Sequence, residues 1–221
     1  MNEKAKEISL LIFDLDGTLA DTIYSIRDAV NIALGKAGFP ERNYEDVRMA
    51  IGNGARKLIE RCLPEDKRDA ETLARVYRDY EAAYDTTYLL ADRCYDGLYE
   101  VILALKERGY TIAVLSNKQD FYVKGIVNAL FPEGVISFVQ GQTELPTKPD
   151  PTVPLMICRE LGFSASETAF IGDSDVDIVT GKNAGMYSVG VSWGYRPREV
   201  LAERGADAIA DAPAELLGIF A

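Results

Sequence analysis

The chain contains no histidine. That absence removes the Ser/His/Asp triad, the Cys/His pair, phosphoryl transfer through imidazole and any zinc site built on imidazole nitrogen. Acid and base chemistry near neutral pH is left to carboxylates, Lys, Tyr, Cys or a metal-bound water. Cysteine is scarce as well. Cys62, Cys94 and Cys158 are odd in number, lie far apart and form no CxxC pair, which suits a reducing compartment, the cytoplasm, better than a disulfide framework. Basic residues are in deficit, 24 Lys+Arg against 35 Asp+Glu, for a formal net charge of −11. Broad contact with nucleic acid or an anionic membrane needs clustered Lys and Arg and is excluded as an expectation. A small anionic partner is allowed only where local charge reverses the global sign. Long apolar runs are missing too: Ile8 to Phe13 is too short for a signal-peptide core, and nothing later approaches the ~20 residues of a membrane span.

What is there suffices for a sizeable core. With 221 residues, 48% hydrophobic and 27% charged, the chain falls between one and two domains at about 150 residues each. Ile8 to Phe13 ends in Asp14 and reads as a buried strand of a parallel sheet. Thr111 to Leu115 ends in Ser116, Thr168 to Ile171 in Gly172-Asp173, and Tyr187 to Val191 in Ser192; weaker runs cover Val135 to Val139 and Asp207 to Ala210. Helical spacing intervenes, as in Leu98, Val101/Ile102 and Leu105, with Gly109 as the stop. This alternation predicts a doubly wound α/β domain with a mainly parallel sheet, which binds ligands beyond the carboxyl ends of its strands. Residues 20–91 break the pattern. Ile23, Ile26, Val30, Ala33/Leu34 and Ala37 form one helical stripe, and Leu73, Tyr77, Tyr80, Tyr84 and Tyr88 another. The expected organisation is therefore a core of residues 1–19 and 92–221 interrupted by an all-helical insertion, with hinges near Thr18 and Asp92.

Four clusters carry chemistry. Asp14-Leu15-Asp16-Gly17-Thr18 follows a buried strand, and Gly17 permits a turn, so two carboxylates and a hydroxyl can converge. A plain Asx turn capping the next helix is the bland alternative. Gly172-Asp173-Ser174-Asp175-Val176-Asp177 follows another strand; Asp173 and Asp177, four apart, are expected on one side of a helical first turn. Acids complement a helix N-terminus, but three in five residues is a heavy load for that purpose, and a divalent cation is the better explanation. Oxygen-only ligands favour Mg²⁺ over zinc. Ser116-Asn117-Lys118 ends a third strand, and Lys148 in Thr147-Lys148-Pro149-Asp150-Pro151 is presented on a stiffened loop at a helix entrance.

In this order the four clusters resemble the haloacid dehalogenase superfamily of phosphotransferases, over almost the whole chain, and the helical insertion is similar to the small cap domain of one branch. Finer matches to phosphoglycolate phosphatase-like members are Ile51-Gly52-Asn53-Gly54-Ala55, Ser116-Asn117-Lys118, Lys148-Pro149-Asp150-Pro151, Gly172 to Met186 and Trp193-Gly194-Tyr195-Arg196; Thr147 stands where many members carry Gly. The resemblance implies a Rossmann-like core and a Mg²⁺-dependent phosphatase acting on a small phosphate monoester, with 2-phosphoglycolate as leading candidate, working as a monomer or homodimer. Asp14 would be the nucleophile that becomes an aspartyl phosphate, and Asp16 the acid and then base. Thr18, Ser116 and Asn117 would hold phosphoryl oxygens, Lys148 would stabilise charge, and Asp14, Asp16 through its main-chain carbonyl, Asp173 and Asp177 would serve the metal, Asp177 directly, through water or by holding Lys148. Gly52, Asn53 and Gly54 would meet the non-phosphate end of the substrate from a lid, or simply form a turn needing positive φ.

Three alternatives share parts of this inventory: a sugar phosphomutase passing the aspartyl phosphate to a second hydroxyl, a phosphonate-cleaving relative with Lys57 as Schiff-base nucleophile, and a non-enzymatic receiver-like phospho-acceptor. Other signals are discounted. Cys62 and Arg68 have the spacing of a cysteine phosphatase loop, but the residues between, Leu63-Pro64-Glu65-Asp66-Lys67, remove one N–H donor and add two carboxylates. The tyrosine stripe reads as packing. Arg56, Lys118 and Arg196 read as solvated surface charges, a substrate carboxylate being the other partner within their reach.

Overall fold

A computed structural model describes residues 7–90 and 93–221. The chain divides into two compact units, Met1–Ala20 with Cys94–Ala221, and Asp21–Arg93. The first division falls one residue later than the sequence suggests because Ala20 bridges both Asp16 and Cys94 in the first unit. The expected second boundary, with its hinge at Asp92, lies outside the described residues.

The first unit is built on six parallel strands: β1 (Leu10–Phe13), β2 (Thr111–Gln119), β3 (Phe138–Gln142), β4 (Thr168–Gly172), β5 (Tyr187–Val191) and β6 (Ala208–Ala210), in the spatial order β3-β2-β1-β4-β5-β6. β1 is central, and its sequence Leu-Leu-Ile-Phe is buried on both faces, as a strand covered by helices on each side requires. The strand order reverses on either side of β1, and Phe13 lies level with Val114 of β2 and Ile171 of β4. The carboxyl ends of three strands therefore open onto one crevice, where such sheets bind ligands.

The crossovers are α5 (Leu98–Glu107), α6 (Asp120–Leu130), α7 (Thr152–Leu161), α8 (Asp175–Ala184) and α9 (Arg198–Glu203), with α10 (Leu216–Ile219) closing the chain. Leu10, Ile12, Leu115, Val153, Ile157, Phe170 and Met186 form a core beneath α7, each large aliphatic side chain worth roughly 1.5–3 kcal/mol on burial. β3 starts three residues later than its apolar run: the Val135 N–H turns back to the Pro132 carbonyl, and Val135 anchors a turn instead. β2 runs on past Leu115 with an irregularity before Gln119, so Ser116-Asn117-Lys118 lies within the strand.

Among the described residues the regular elements of the second unit are helical, with α1 (Ile23–Lys36), α2 (Tyr44–Ala50), α3 (Ala55–Cys62) and α4 (Ala70–Thr87). α1 buries Ile23, Ile26, Ala29, Val30, Ala33 and Leu34; α4 packs on it and buries Leu73, Val76, Tyr80, Ala83 and Tyr84. Val76, not Tyr77, occupies that face, and the Tyr80 and Tyr84 rings stack at 5.5 Å. Asp69 caps α4 through the Glu71 and Thr72 N–H groups. Among the described residues no helix is long and apolar enough to cross a membrane.

Candidate active site

Two strand ends, one helix start and one loop bring the motif residues together. Asp14 leaves β1, its N–H held by the Ile171 carbonyl of β4 at 2.9 Å. Asp173 leaves β4, and Asp177 stands in the first turn of α8, its Oδ2 accepting from Ser174 N and Oγ in a capping box. Carboxylate oxygens of Asp14, Asp173 and Asp177 lie within 4.8 Å of one another. Asp173 sits before the helix, so its approach to Asp177 comes from the strand end and not from four-residue helical spacing. Lys148, on the loop after β3, reaches between them: its Nζ is 2.7 Å from Asp177 Oδ1 and 2.8 Å from Asp14 Oδ1. Its bond to Asp177 is directed, whereas Asp14 Oδ1 lies outside hydrogen-bonding geometry.

Burial dominates the electrostatics. It pushes the Asp14 carboxyl up to about 7 against the pull of Lys148, with Asp177 and Asp16 pushing the same way. Burial, then the charges of Asp177 and Asp14, hold Asp173 well above the usual carboxylate range. Burial also works against the Lys148 ammonium, but Asp14 and Asp177 overcome it and keep the group above its ordinary value. Three buried carboxylates stand against one ammonium, so the fully ionised cluster would carry a surplus of two negative charges, which is what holds Asp14 and Asp173 toward their protonated forms. Such a surplus, built only from oxygen donors and including an Asp14 oxygen without a directed partner, fits a hard divalent cation such as Mg²⁺.

A surrounding layer orients these groups. Asp173 Oδ1 accepts from the Thr18 hydroxyl at 3.1 Å and its Oδ2 from the Tyr195 N–H at 2.6 Å. Trp193 Nε1 donates to the Thr18 carbonyl at 3.0 Å. Gly194 has to be Gly, because a Cβ there would stand 2.2 Å from the Gly17 carbonyl oxygen and 2.4 Å from Asp173 Cβ. Asn117 binds the Lys148 backbone twice, its Nδ2 donating to the carbonyl at 3.0 Å and its Oδ1 accepting from the N–H at 2.9 Å.

The remaining residues singled out in the sequence are placed as follows. The Thr18 hydroxyl is fully buried and turned to Asp173, and the Asn117 side-chain amide is turned to Lys148, so both face protein groups. Ser116 is buried in β2, its Oγ accepting from Lys118 N at 3.3 Å. The Asp16 carboxylate stands outside the three-carboxylate cluster, its Oδ1 2.7 Å from Lys118 Nζ. Lys118 is therefore no solvated charge: its side chain is 8% exposed. Arg56 is exposed, and Lys57 pairs with Glu60. Gly52, Asn53 and Gly54 belong to the helical unit, where both glycines take positive φ and Asn53 Oδ1 accepts from Arg61. Composition signals nothing about the Tyr195 N–H, a main-chain donor; only the Trp193-Gly194-Tyr195-Arg196 match pointed to that loop.

A family model described as haloacid dehalogenase-like hydrolase matches residues 11–191. Over 221 residues the chain is 33% identical to a phosphoglycolate phosphatase of Haemophilus influenzae, covering 97% of this chain and 99% of that one. It is 35% identical over 196 residues to a phosphoglycolate phosphatase of Psychrobacter arcticus, covering 84% of each. Among solved structures, a predicted phosphoglycolate phosphatase from Haemophilus somnus is similar with a TM-score of 0.90 at 29% identity, covering 98% of this chain and 99% of that one.

Proposed function

Because the chain belongs to the haloacid dehalogenase-like hydrolases and is a phosphatase, we propose that it hydrolyses 2-phosphoglycolate with Mg²⁺, through an aspartyl phosphate on Asp14. The observation that carries this reading is the convergence of Asp14, Asp173 and Asp177 around Lys148 at the β1 and β4 ends; the substrate is taken from the relatives' names. Asp14, Asp173 and the Asp16 main-chain carbonyl would hold the metal, with Asp177 holding Lys148 beside them. Magnesium, when bound, offsets the carboxylate charge and polarises the phosphoryl oxygens.

Asp14 Oδ attacks phosphorus in line, the Oδ–P bond forms, and the P–O bond to glycolate breaks while Asp16 gives its proton to the leaving oxygen. Asp16 then takes a proton from water, whose oxygen attacks phosphorus; the P–Oδ bond breaks and inorganic phosphate leaves with Asp14 restored. Lys148 stabilises charge on the transferring group. Three free, scattered cysteines support a cytoplasmic setting.

Phosphate release should be measured with Mg²⁺ on 2-phosphoglycolate, sugar phosphates, nucleotides and pyrophosphate, for the wild type and Asp14→Asn. The expected result is release from 2-phosphoglycolate that Asp14→Asn abolishes without unfolding the protein. Wild-type turnover by that variant removes Asp14 as nucleophile, and conversion of a hexose 1-phosphate to an isomer instead of free phosphate replaces the reading with a mutase.

A further inference from the structure

The loop after β5 fastens the two acidic segments of the site to one another. Trp193 Nε1 donates to the Thr18 carbonyl at 3.0 Å, in the turn that follows β1. Within that turn the Thr18 N–H goes to the Leu15 carbonyl and the Gly17 N–H to the Ala20 carbonyl, so it holds together as one hydrogen-bonded piece. Thr18 is fully buried and its hydroxyl donates to Asp173 Oδ1; two residues beyond Trp193, the Tyr195 N–H donates to Asp173 Oδ2. Both oxygens of Asp173 are thus held from segments that the indole N–H ties together. Gly17 leaves no slack beside them, because a Cβ there would stand 2.5 Å from Asp173 Oδ2 and 2.9 Å from the Tyr195 ring. The carboxylate cannot turn about its Cβ–Cγ bond without giving up a hydrogen bond.

We propose that Trp193 is a positioning residue for Asp173: acting through Thr18, its indole N–H holds that carboxylate in one orientation and so sets how strongly the site prefers Mg²⁺ to Ca²⁺. The inference rests on the reading above that Asp173 is a metal ligand. Mg²⁺ demands oxygens at about 2.0–2.1 Å in near-octahedral directions, whereas Ca²⁺ accepts about 2.3–2.6 Å, irregular geometry and carboxylates that bind through one oxygen or two. A fixed carboxylate suits the smaller ion, and a loosened one turns to meet the larger. Partners that orient a metal ligand typically carry about 10–100-fold in metal affinity.

Trp193 is the one tryptophan in the chain, so producing the protein with 3-benzothienylalanine in place of tryptophan keeps the bicyclic shape and removes the N–H at this position alone. Protein made with 5-fluorotryptophan keeps the N–H and serves as the control. Calorimetric titration with Mg²⁺ and with Ca²⁺ at one pH gives both Kd values for each form. Both cations displace the same protons, so their ratio is free of any change in carboxylate protonation. The benzothienyl form should bind Mg²⁺ about 10–100-fold more weakly and Ca²⁺ nearly as well as the wild type. The fluorotryptophan form should match the wild type, and Trp193→Phe, which also lacks the donor, should shift the ratio in the same direction as the benzothienyl form. An unchanged ratio in the two forms without the N–H, whether both cations bind as before or both weaken alike, overturns the proposal, because Trp193 would then only stabilise the fold. A wild type that binds neither cation removes Asp173 as a metal ligand, and with it the reading on which the inference stands.

Discussion

Replacing Lys148 with Met keeps an unbranched stem of similar volume and removes the charge, so the change is electrostatic more than steric. At 2.7 Å from Asp177 and 2.8 Å from Asp14, each contact is worth about 6 kcal/mol gross at an effective dielectric near 20. Most of that is offset by the cost of burying the ions, and breaking a buried pair from one side typically costs about 3–5 kcal/mol. The loss has a pH signature. Burial pushes the Asp14 carboxyl from the ordinary 3.8 up to about 7, so the fold favours its protonated form; that contribution is full below pH 3.8 and is lost as pH rises through 7.

Without Lys148 the Asp14 carboxyl titrates higher still, and the loss extends to higher pH. The deficit of Lys148→Met is therefore larger at pH 8.5, where Asp14 is ionised and has lost its counter-charge, than at pH 5.5, where it is protonated. Urea unfolding in EDTA, followed by the fluorescence of Trp193, the one tryptophan, measures both values in the sheet unit. A constant slope against urea is needed for the comparison. A deficit below about 1 kcal/mol, or one equal at the two pH values, refutes the reasoning.

Gly194→Ala forces a methyl group onto the Gly17 carbonyl oxygen and Asp173 and should cost about 1–3 kcal/mol, whereas Gly218→Ala, whose Cβ meets nothing within 4 Å, should be neutral or slightly stabilising by the same unfolding assay. Asn117→Ala should lose about 2–3 kcal/mol, because two buried backbone groups of Lys148 lose their partners; Asn117→Asp keeps the acceptor and should recover part of it. Mg²⁺ at a hundred times its Kd should stabilise the EDTA-stripped protein by about 2.7 kcal/mol in thermal melts, and Asp173→Asn should remove most of that gain. An identical melting temperature with and without Mg²⁺ would remove the metal site.

Much of the site is legible in the sequence because it is local to strand ends. Asp14 and Asp173 each directly follow an apolar strand or its terminal glycine, and in a parallel sheet those ends lie on one edge. Legibility stops where a side chain's partner is remote. Lys118 looks like a surface lysine, yet its partner Asp16 lies 102 positions away. Thr18 is expected at the phosphate, and its hydroxyl also donates to Asp173, 155 positions away, which no local pattern announces. The Tyr195 N–H is a main-chain donor, and residue identity carries no signal for it.

The sequence by itself determined the α/β class, the helical insertion and the inventory of carboxylates and lysines, because hydrophobic periodicity and residue chemistry are properties of short segments. The missing histidine belongs to that inventory, since it leaves acid and base chemistry to carboxylates, Lys, Tyr, Cys or a metal-bound water. Tertiary structure decided which oxygen meets which cation: Lys148 between Asp14 and Asp177, Lys118 against Asp16, and Thr18 and Tyr195 on Asp173. Those pairings follow from strand order and register, which set distances between residues far apart in the chain, and at separations of 2.6–3.1 Å in a buried site such distances decide charge state and role.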